Sequence, residues 1–275
     1  MSSMSKVAIL GTGTMGRALG KGLLNSGVVD ASHLVGTVKH EHEVAPAADS
    51  AGFSVTTDND EAVRGAGVIL LCTKPRAALP LVRSLAEAGS LSHGPLLVSI
   101  AAGVSTADLE EAGGEALRVV RAMPNTPCLV QEGMTVVCGG SRSSVDDLST
   151  AESLFRPLGR VRRLDEEHMD AVTGLSGSGP AFLYVIIEAL SEGGVMTGLP
   201  RDVATEMAAQ TVRGAASMVL ETGRHPAALK DDVTTPAGCT ISALLSLEDG
   251  RLRSVLARGV QEAARAAAGL GESVD

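Results

Sequence analysis

The chain has 275 residues, enough for one large domain or two modest ones, and 44% of them are hydrophobic, which excludes a disordered chain. With no Trp, one Tyr and three Phe, its core must be built from Ala, Val, Leu, Ile and Met. A formal charge of −9 makes nucleic acid and anionic membranes poor partners, and no apolar run approaches the about 18 residues of a spanning helix.

Met1-Ser-Ser-Met-Ser-Lys6 runs directly into an apolar strand without a secretory core, which points to the cytoplasm. Val7-Ala-Ile-Leu10 is that strand. Gly11-Thr12-Gly13-Thr14-Met15-Gly16 follows at once, and the helical pattern Leu19, Leu23, Leu24 runs on to Asn25-Ser-Gly27. Strand, glycine turn and helix in this order are the context in which G-x-G-x-x-G denotes dinucleotide binding. Gly11 then makes the tight turn, Gly13 admits the pyrophosphate, and Gly16 lets helix and strand touch.

Further strands are legible at Leu34-Val35, Val68–Cys72, Leu96–Ser99 and Leu117–Arg121. Helical stretches near Asn59–Arg64, Pro75–Ala88 and Thr106–Gly113 separate them, so an α/β domain with a mainly parallel, doubly wound sheet of Rossmann type is expected. Ligands of such sheets sit beyond the carboxyl ends of the strands. Those ends lead into Thr37–His40, Thr73-Lys74-Pro75, Ala101-Ala102-Gly103 and Met123-Pro124-Asn125. An NAD site usually places an acid about 20 residues past the glycines. Here Gly36-Thr37-Val38-Lys39-His40 offers none before Glu41. A hydroxyl and a lysine suit the 2′-phosphate of NADP, so NADPH is the expected cofactor and NADH the alternative.

From Glu166 onward strand patterns give way to Ala-rich helices, which divides the chain into domains of residues 1–165 and 166–275. Helices are expected over Asp170–Leu175, ending at Ser176-Gly-Ser-Gly-Pro180, then over Ala181–Val195, Asp202–Leu220 and Ala227–Val233, and after Thr240. Ala181–Leu190 carries one charge, and Val203–Leu220 only Glu206 and Arg213. A helix apolar on every side must be buried on every side, and a small domain cannot do that alone. The helical domain therefore implies a homo-oligomer, a dimer at least. Near its end, Thr234-Thr235-Pro236-Ala237-Gly238-Cys239-Thr240 opens onto Ile241, Leu244 and Leu245. Such a loop turns free backbone N–H groups outward at the positive end of a helix, which suits a carboxylate. The cysteines Cys72, Cys128, Cys138 and Cys239 lie far apart and read as reduced, buried small residues. The histidines show no zinc spacing, and no metal site is expected.

The whole chain from about residue 6 to 270 resembles pyrroline-5-carboxylate reductase. The likeness rests on the glycine turn with Met15, Thr73-Lys-Pro75, Ala101-Ala-Gly103 and Arg121-Ala-Met-Pro-Asn-Thr-Pro127. It continues in Asp170-Ala-Val-Thr-Gly-Leu-Ser-Gly-Ser-Gly-Pro180, Gly198-Leu-Pro-Arg201, and Pro236-Ala-Gly-Cys-Thr240 through Gly250-Arg-Leu-Arg253. The resemblance implies a Rossmann domain followed by an α-helical dimerisation domain, in a dimer or a ring of dimers. It implies a cofactor site of Leu10, Gly11, Thr12, Gly13, Thr14, Met15, Gly16, Val38, His40, Asn59, Thr73, Lys74, Pro75 and Ala102, with Met123, Pro124 and Asn125 at the nicotinamide end. It places the substrate carboxylate on Thr235, Gly238, Cys239 and Thr240, with Thr240 near the ring nitrogen and Glu166 at the substrate site. Two positions depart from the family pattern: Thr235 stands where Ser is common, and Asp232 where Asn is. A carboxylate at 232 would repel an anionic cofactor.

The implied reaction is reduction of a cyclic imino acid to L-proline, the last step of proline synthesis. Two other readings remain: a β-hydroxyacid dehydrogenase and a non-catalytic NADP-binding sensor. The first needs a lysine on the long helix after the Gly-rich segment, and Ala181–Val195 has none. The second has no need of a carboxylate loop.

Overall fold

The structure is a computed structural model, and it describes residues 6–270. Two compact units emerge: one reaches Ser178 and is rejoined by the chain from Glu262, and the other is Gly179–Gln261.

The first unit is built on eight strands. They are β1 (Val7–Leu10), β2 (Leu34–Thr37), β3 (Ser54–Thr56), β4 (Val68–Leu71), β5 (Leu96–Ser99), β6 (Arg118–Met123), β7 (Gly133–Gly139) and β8 (Gly159–Arg163). The sheet order is β3-β2-β1-β4-β5-β6-β7-β8. Every pairing is parallel except β6 with β7. Helices α1 (Thr14–Asn25), α2 (Val44–Ala51), α3 (Asn59–Val63), α4 (Pro75–Glu87), α5 (Thr106–Gly113), α6 (Val145–Phe155) and α7 (Met169–Val172) connect or follow the strands.

Strands β1, β4 and β5 are buried at every residue, as continuous apolar runs in a sheet covered on both faces must be. Successive side chains alternate between two cores. Ile9, Leu70 and Val98 meet Leu19, Leu23, Phe53 and Phe155 on one face. Leu10, Ile69 and Leu97 meet Val82, Leu85 and Leu109 on the other. Each such side chain contributes about 1.5–3 kcal/mol on burial. The sheet changes winding direction between β1 and β4, and that opens a crevice at their carboxyl ends.

Strands β3, β7 and β8 were not legible as apolar runs. Ser54-Val-Thr56 and Gly159-Arg-Val-Arg-Arg163 carry one apolar residue each because they are the sheet's edges, with one side of each strand open. Strand β7, Gly-Met-Thr-Val-Val-Cys-Gly, mixes polar and apolar positions.

The second unit holds α8 (Gly179–Met196), α9 (Arg201–Thr222), α10 (Pro226–Asp232) and α11 (Cys239–Asp249), and α12 (Leu252–Ala268) leads out of it. Helical hydrogen bonding does not stop at Ser176 as expected. It passes through a π turn, Thr173–Gly177, in which Ser178 N–H donates to the Thr173 carbonyl at 2.8 Å. Helices α8 and α9 pack where residues are small: a Cβ on Gly194 would meet that of Ala204 at 3.0 Å. The Ser191 and Thr205 hydroxyls also pair at 2.8 Å. Elsewhere their apolar side chains are uncovered in the single chain, with Tyr184 62% and Val185 65% exposed. No helix of the described residues is long and apolar enough to cross a membrane.

Candidate active site

The turn after β1 is set by backbone geometry. Gly11 has φ +96°, which an L side chain rarely adopts, and a Cβ on Gly16 would lie 2.2 Å from the Gly11 carbonyl oxygen. Around Gly13 there is open space instead, and Gly13 caps α1 with no side-chain hydrogen bond. The first-turn N–H groups of α1 therefore face a cleft with the positive end of the helix dipole behind them.

That cleft, of about 730 Å³, is bounded by residues 11–14, Arg17, residues 37–40, His42 and Lys74. It brings together the expected Gly11, Thr12, Gly13, Thr14, Thr37, Val38, Lys39, His40 and Lys74. Thr37 is 3% exposed, and its oxygens hold the turn. Its carbonyl accepts from Thr12 N at 2.8 Å and from Thr12 Oγ1 at 2.6 Å, and its hydroxyl accepts from Gly11 N at 3.3 Å. Lys39 is exposed at the rim, and the only acid there, Glu43, turns its carboxylate back to the His40 N–H at 3.0 Å. The rings of His40 and His42 stack, with centroids 5.5 Å apart. Sequence reasoning missed Arg17 and His42; a basic residue four positions past Gly13 on a helix start was the available signal.

A dinucleotide fits these residues. Free helix N–H groups, an uncrowded Gly13 and three cations (Arg17, Lys39, Lys74) meet in one cleft. The adjoining Thr73 carries a buried hydroxyl without a hydrogen-bond partner. No group of three or more His, Cys, Asp or Glu among the described residues is placed to hold a metal.

The other expected cofactor residues do not line the cleft. Leu10 and Gly16 are buried beneath the turn, and Met15 packs on the core behind it. Asn59 opens α3, whose cap is Asp58, and Pro75 opens α4 after Lys74. Ala102 follows β5, and Met123 ends β6 at 5% exposure. Pro124 is buried, and Asn125 is held at both ends of its amide group: the nitrogen donates to the Ser176 carbonyl at 3.1 Å, and the oxygen accepts from Met134 N at 2.9 Å.

Glu166 lies at the carboxyl ends of β5 and β6. Its carboxylate accepts from the Thr106 N–H at 2.7 Å and from the Thr106 hydroxyl, and it pairs with Arg121 at 3.4 Å.

In the second unit, the loop before α11 is tight. Gly238 N–H donates to the Thr235 carbonyl at 3.1 Å, Ala237 is held at φ +54°, and a Cβ on Gly238 would strike the Thr235 hydroxyl at 2.4 Å. Strain at a non-glycine residue of this kind collects at ligand clamps. The cap of α11 is Gly238, without a side-chain hydrogen bond, and Thr240 is the second helical residue. The hydroxyl of Thr240 is therefore not needed as a cap. Cys239, expected to be buried, is exposed because it starts the helix on this loop, whereas Cys128 and Cys138 are buried. Burial pushes the Cys138 thiol up to about 12. Asp232 is paired with Arg224 at 2.6 Å, and that hydrogen bond holds its carboxyl below the ordinary value. Asp232 is thus paired with a cation of its own chain.

Comparison with known proteins extends over both units. Residues 166–270 match the family model for pyrroline-5-carboxylate reductase dimerisation, and residues 6–103 match the model described as NADP oxidoreductase coenzyme F420-dependent. The chain is 40% identical to pyrroline-5-carboxylate reductase of Pisum sativum over 265 residues, 96% of either chain. It is similar to the structure of a pyrroline-5-carboxylate reductase from Coxiella burnetii, with a TM-score of 0.89, 33% identity, and coverage of 98% of this chain and 100% of that one. The Plasmodium falciparum pyrroline carboxylate reductase with NADP bound gives a TM-score of 0.88 at 29% identity, covering 98% and 99%.

Proposed function

The chain belongs to the pyrroline-5-carboxylate reductase family, and we propose that it reduces L-1-pyrroline-5-carboxylate to L-proline with NADPH. One observation carries this reading. The chain has two helix N-termini whose caps are glycines without side-chain bonds, one behind the glycine turn and one at Gly238. The first suits a pyrophosphate, the second a carboxylate.

In this reading the Gly13–Met15 amides bind the pyrophosphate, and Lys39 with Arg17 meets the 2′-phosphate. Val38, His40 and Asn59 border the adenosine half, while Thr73, Lys74, Pro75 and Ala102 border the rest. Met123, Pro124 and Asn125 back the nicotinamide end. Thr235, Gly238, Cys239 and Thr240 anchor the substrate carboxylate, and Glu166 lies at the substrate site. When bound, NADPH supplies the hydride that adds to the carbon of the C=N bond. Thr240 then supports the proton taken up at nitrogen, which completes the amine. Holding two reactants in line supplies about 7–11 kcal/mol of the barrier.

The functional domains we propose are residues 1–165 and 166–275, the second carrying dimerisation. Its uncovered apolar helices support a homo-oligomer, a dimer or a ring of dimers. A cytoplasmic site agrees with four unpaired cysteines. The test is oxidation of NADPH on addition of pyrroline-5-carboxylate, with proline identified as product. Binding of NADPH without turnover would leave the non-catalytic sensor as the better reading.

A further inference from the structure

Arg121 is a cation in a place where a cation is costly. Its side chain is 5% exposed on β6, and its Nε and Nη2 groups are buried without a hydrogen-bond partner. Two carboxylates compensate it: Glu166 at 3.4 Å from Nη1 and Asp170, on α7, at 3.5 Å from Nη2. Well-packed apolar residues in place of a buried ion pair are commonly as stable or more so, so stability alone does not explain this arrangement.

Position does. Arg121 lies two residues before Met123, where β6 gives way to Pro124 and Asn125. The carboxylate it grips also holds the start of α5 through the Thr106 N–H and hydroxyl, and α5 follows the Ala101-Ala102-Gly103 turn after β5. A single guanidinium thus ties the carboxyl ends of β5 and β6 to the segment from Glu166 to Asp170. Glu166 keeps 30% of its side chain exposed.

We propose that Arg121 is a positioning residue for the reaction: it fixes Glu166 and, through Thr106, the turn after β5, so that the nicotinamide end and the substrate side keep one geometry. This rests on the function proposed above. Arg121 touches neither reactant in this reading.

The test uses the full-length protein, with NADPH dissociation constants, kcat, KM for pyrroline-5-carboxylate and Tm measured separately. Arg121→Ala should lower kcat about tenfold to a hundredfold, the cost of a small misplacement. Its NADPH dissociation constant should stay within about twofold, because the phosphates bind elsewhere. Methylguanidinium added to Arg121→Ala should recover several-fold of the lost kcat. Thr106→Val should lower kcat in the same direction and by less, and Arg121→Lys, which reaches Glu166 but cannot span to Asp170, should fall between parent and Ala. A lower Tm with unchanged kcat would overturn the proposal. So would a loss that methylguanidinium does not recover, or NADPH affinity falling in step with kcat. If Arg121→Ala does not fold, unchanged kcat in both Arg121→Lys and Thr106→Val overturns it. A parent chain that binds NADPH yet leaves pyrroline-5-carboxylate unreduced would overturn the function itself, and this inference with it.

Discussion

Lys39 and Thr240 are the two side chains on which the chemistry can be tested one atom group at a time. Lys39 is exposed at the rim of the cleft, beyond β2, where an NAD-specific site would carry an acid. In the proposed role its ammonium meets the 2′-phosphate of NADPH and has no counterpart in NADH. Lys39→Ala should therefore raise KM for NADPH roughly tenfold with little change in kcat, and leave KM for NADH nearly unmoved. Steady-state kinetics with both cofactors checks this, and equal KM values in the parent would count against it. Thr240 differs because the role proposed for it lies at the bond being reduced. Gly238 already occupies the cap, so removing the hydroxyl should cost little Tm. A hydrogen bond to nitrogen that strengthens as the amine forms is worth about ten- to two-hundredfold in rate. Thr240→Ala and Thr240→Val should both lose kcat and kcat/KM by about that factor. Variants that lose Tm but keep kcat would remove Thr240 from the mechanism.

Strands were legible where their residues are apolar without interruption. The runs Val7–Leu10, Val68–Leu71 and Leu96–Ser99 announce themselves because both faces of each strand are covered. The edges β3 and β8 do not, since pairing and not apolar content makes them strands. Strand β8 shows what else holds such an edge. Arg163 reaches across to Glu152 on α6, which Arg156 also contacts at 3.1 Å. The Arg163 hydrogen bond, ahead of the Arg156 contact, holds the Glu152 carboxyl below its ordinary value. A lowered carboxyl stabilises the fold above the ordinary carboxylate range, and the gain is lost as pH falls through the lowered value. Arg163→Ala should thus melt earlier than the parent near neutral pH, by a small margin for an exposed pair. The two should converge in acid, below the lowered value, as followed by thermal melts across pH. The glycine turn and the loop before α11 were also legible as helix starts, because small residues and hydroxyls there precede an apolar helical pattern. His42 was not, because only the folded cleft puts it beside Lys39, whereas Arg17 had a signal in its place on the helix start. The grip of Arg121 on Glu166 was hidden for the same reason: the partners are far apart in sequence and meet only when β6 enters the sheet.

At the scale of the molecule, the helical unit is the part that a single chain leaves unfinished. Met207 is 53% and Leu220 55% exposed on α9, beside the uncovered face of α8. Burial of such faces against a second copy explains an all-apolar helix that one chain cannot cover. Met207→Asp would strand a charge there and should dissociate or unfold the assembly, at a cost of several kcal/mol. Sedimentation velocity checks this, and an active, monodisperse parent monomer would sink the reading. One residue of that face has a second use. The chain has no Trp, and its single tyrosine, Tyr184, stands on α8 at 62% exposure. Nearly all of the protein's ultraviolet emission therefore originates from one ring on the surface through which copies are proposed to meet. Dilution through the dissociation range should alter that emission. The chain carries its own optical label for assembly, already in place and needing no dye.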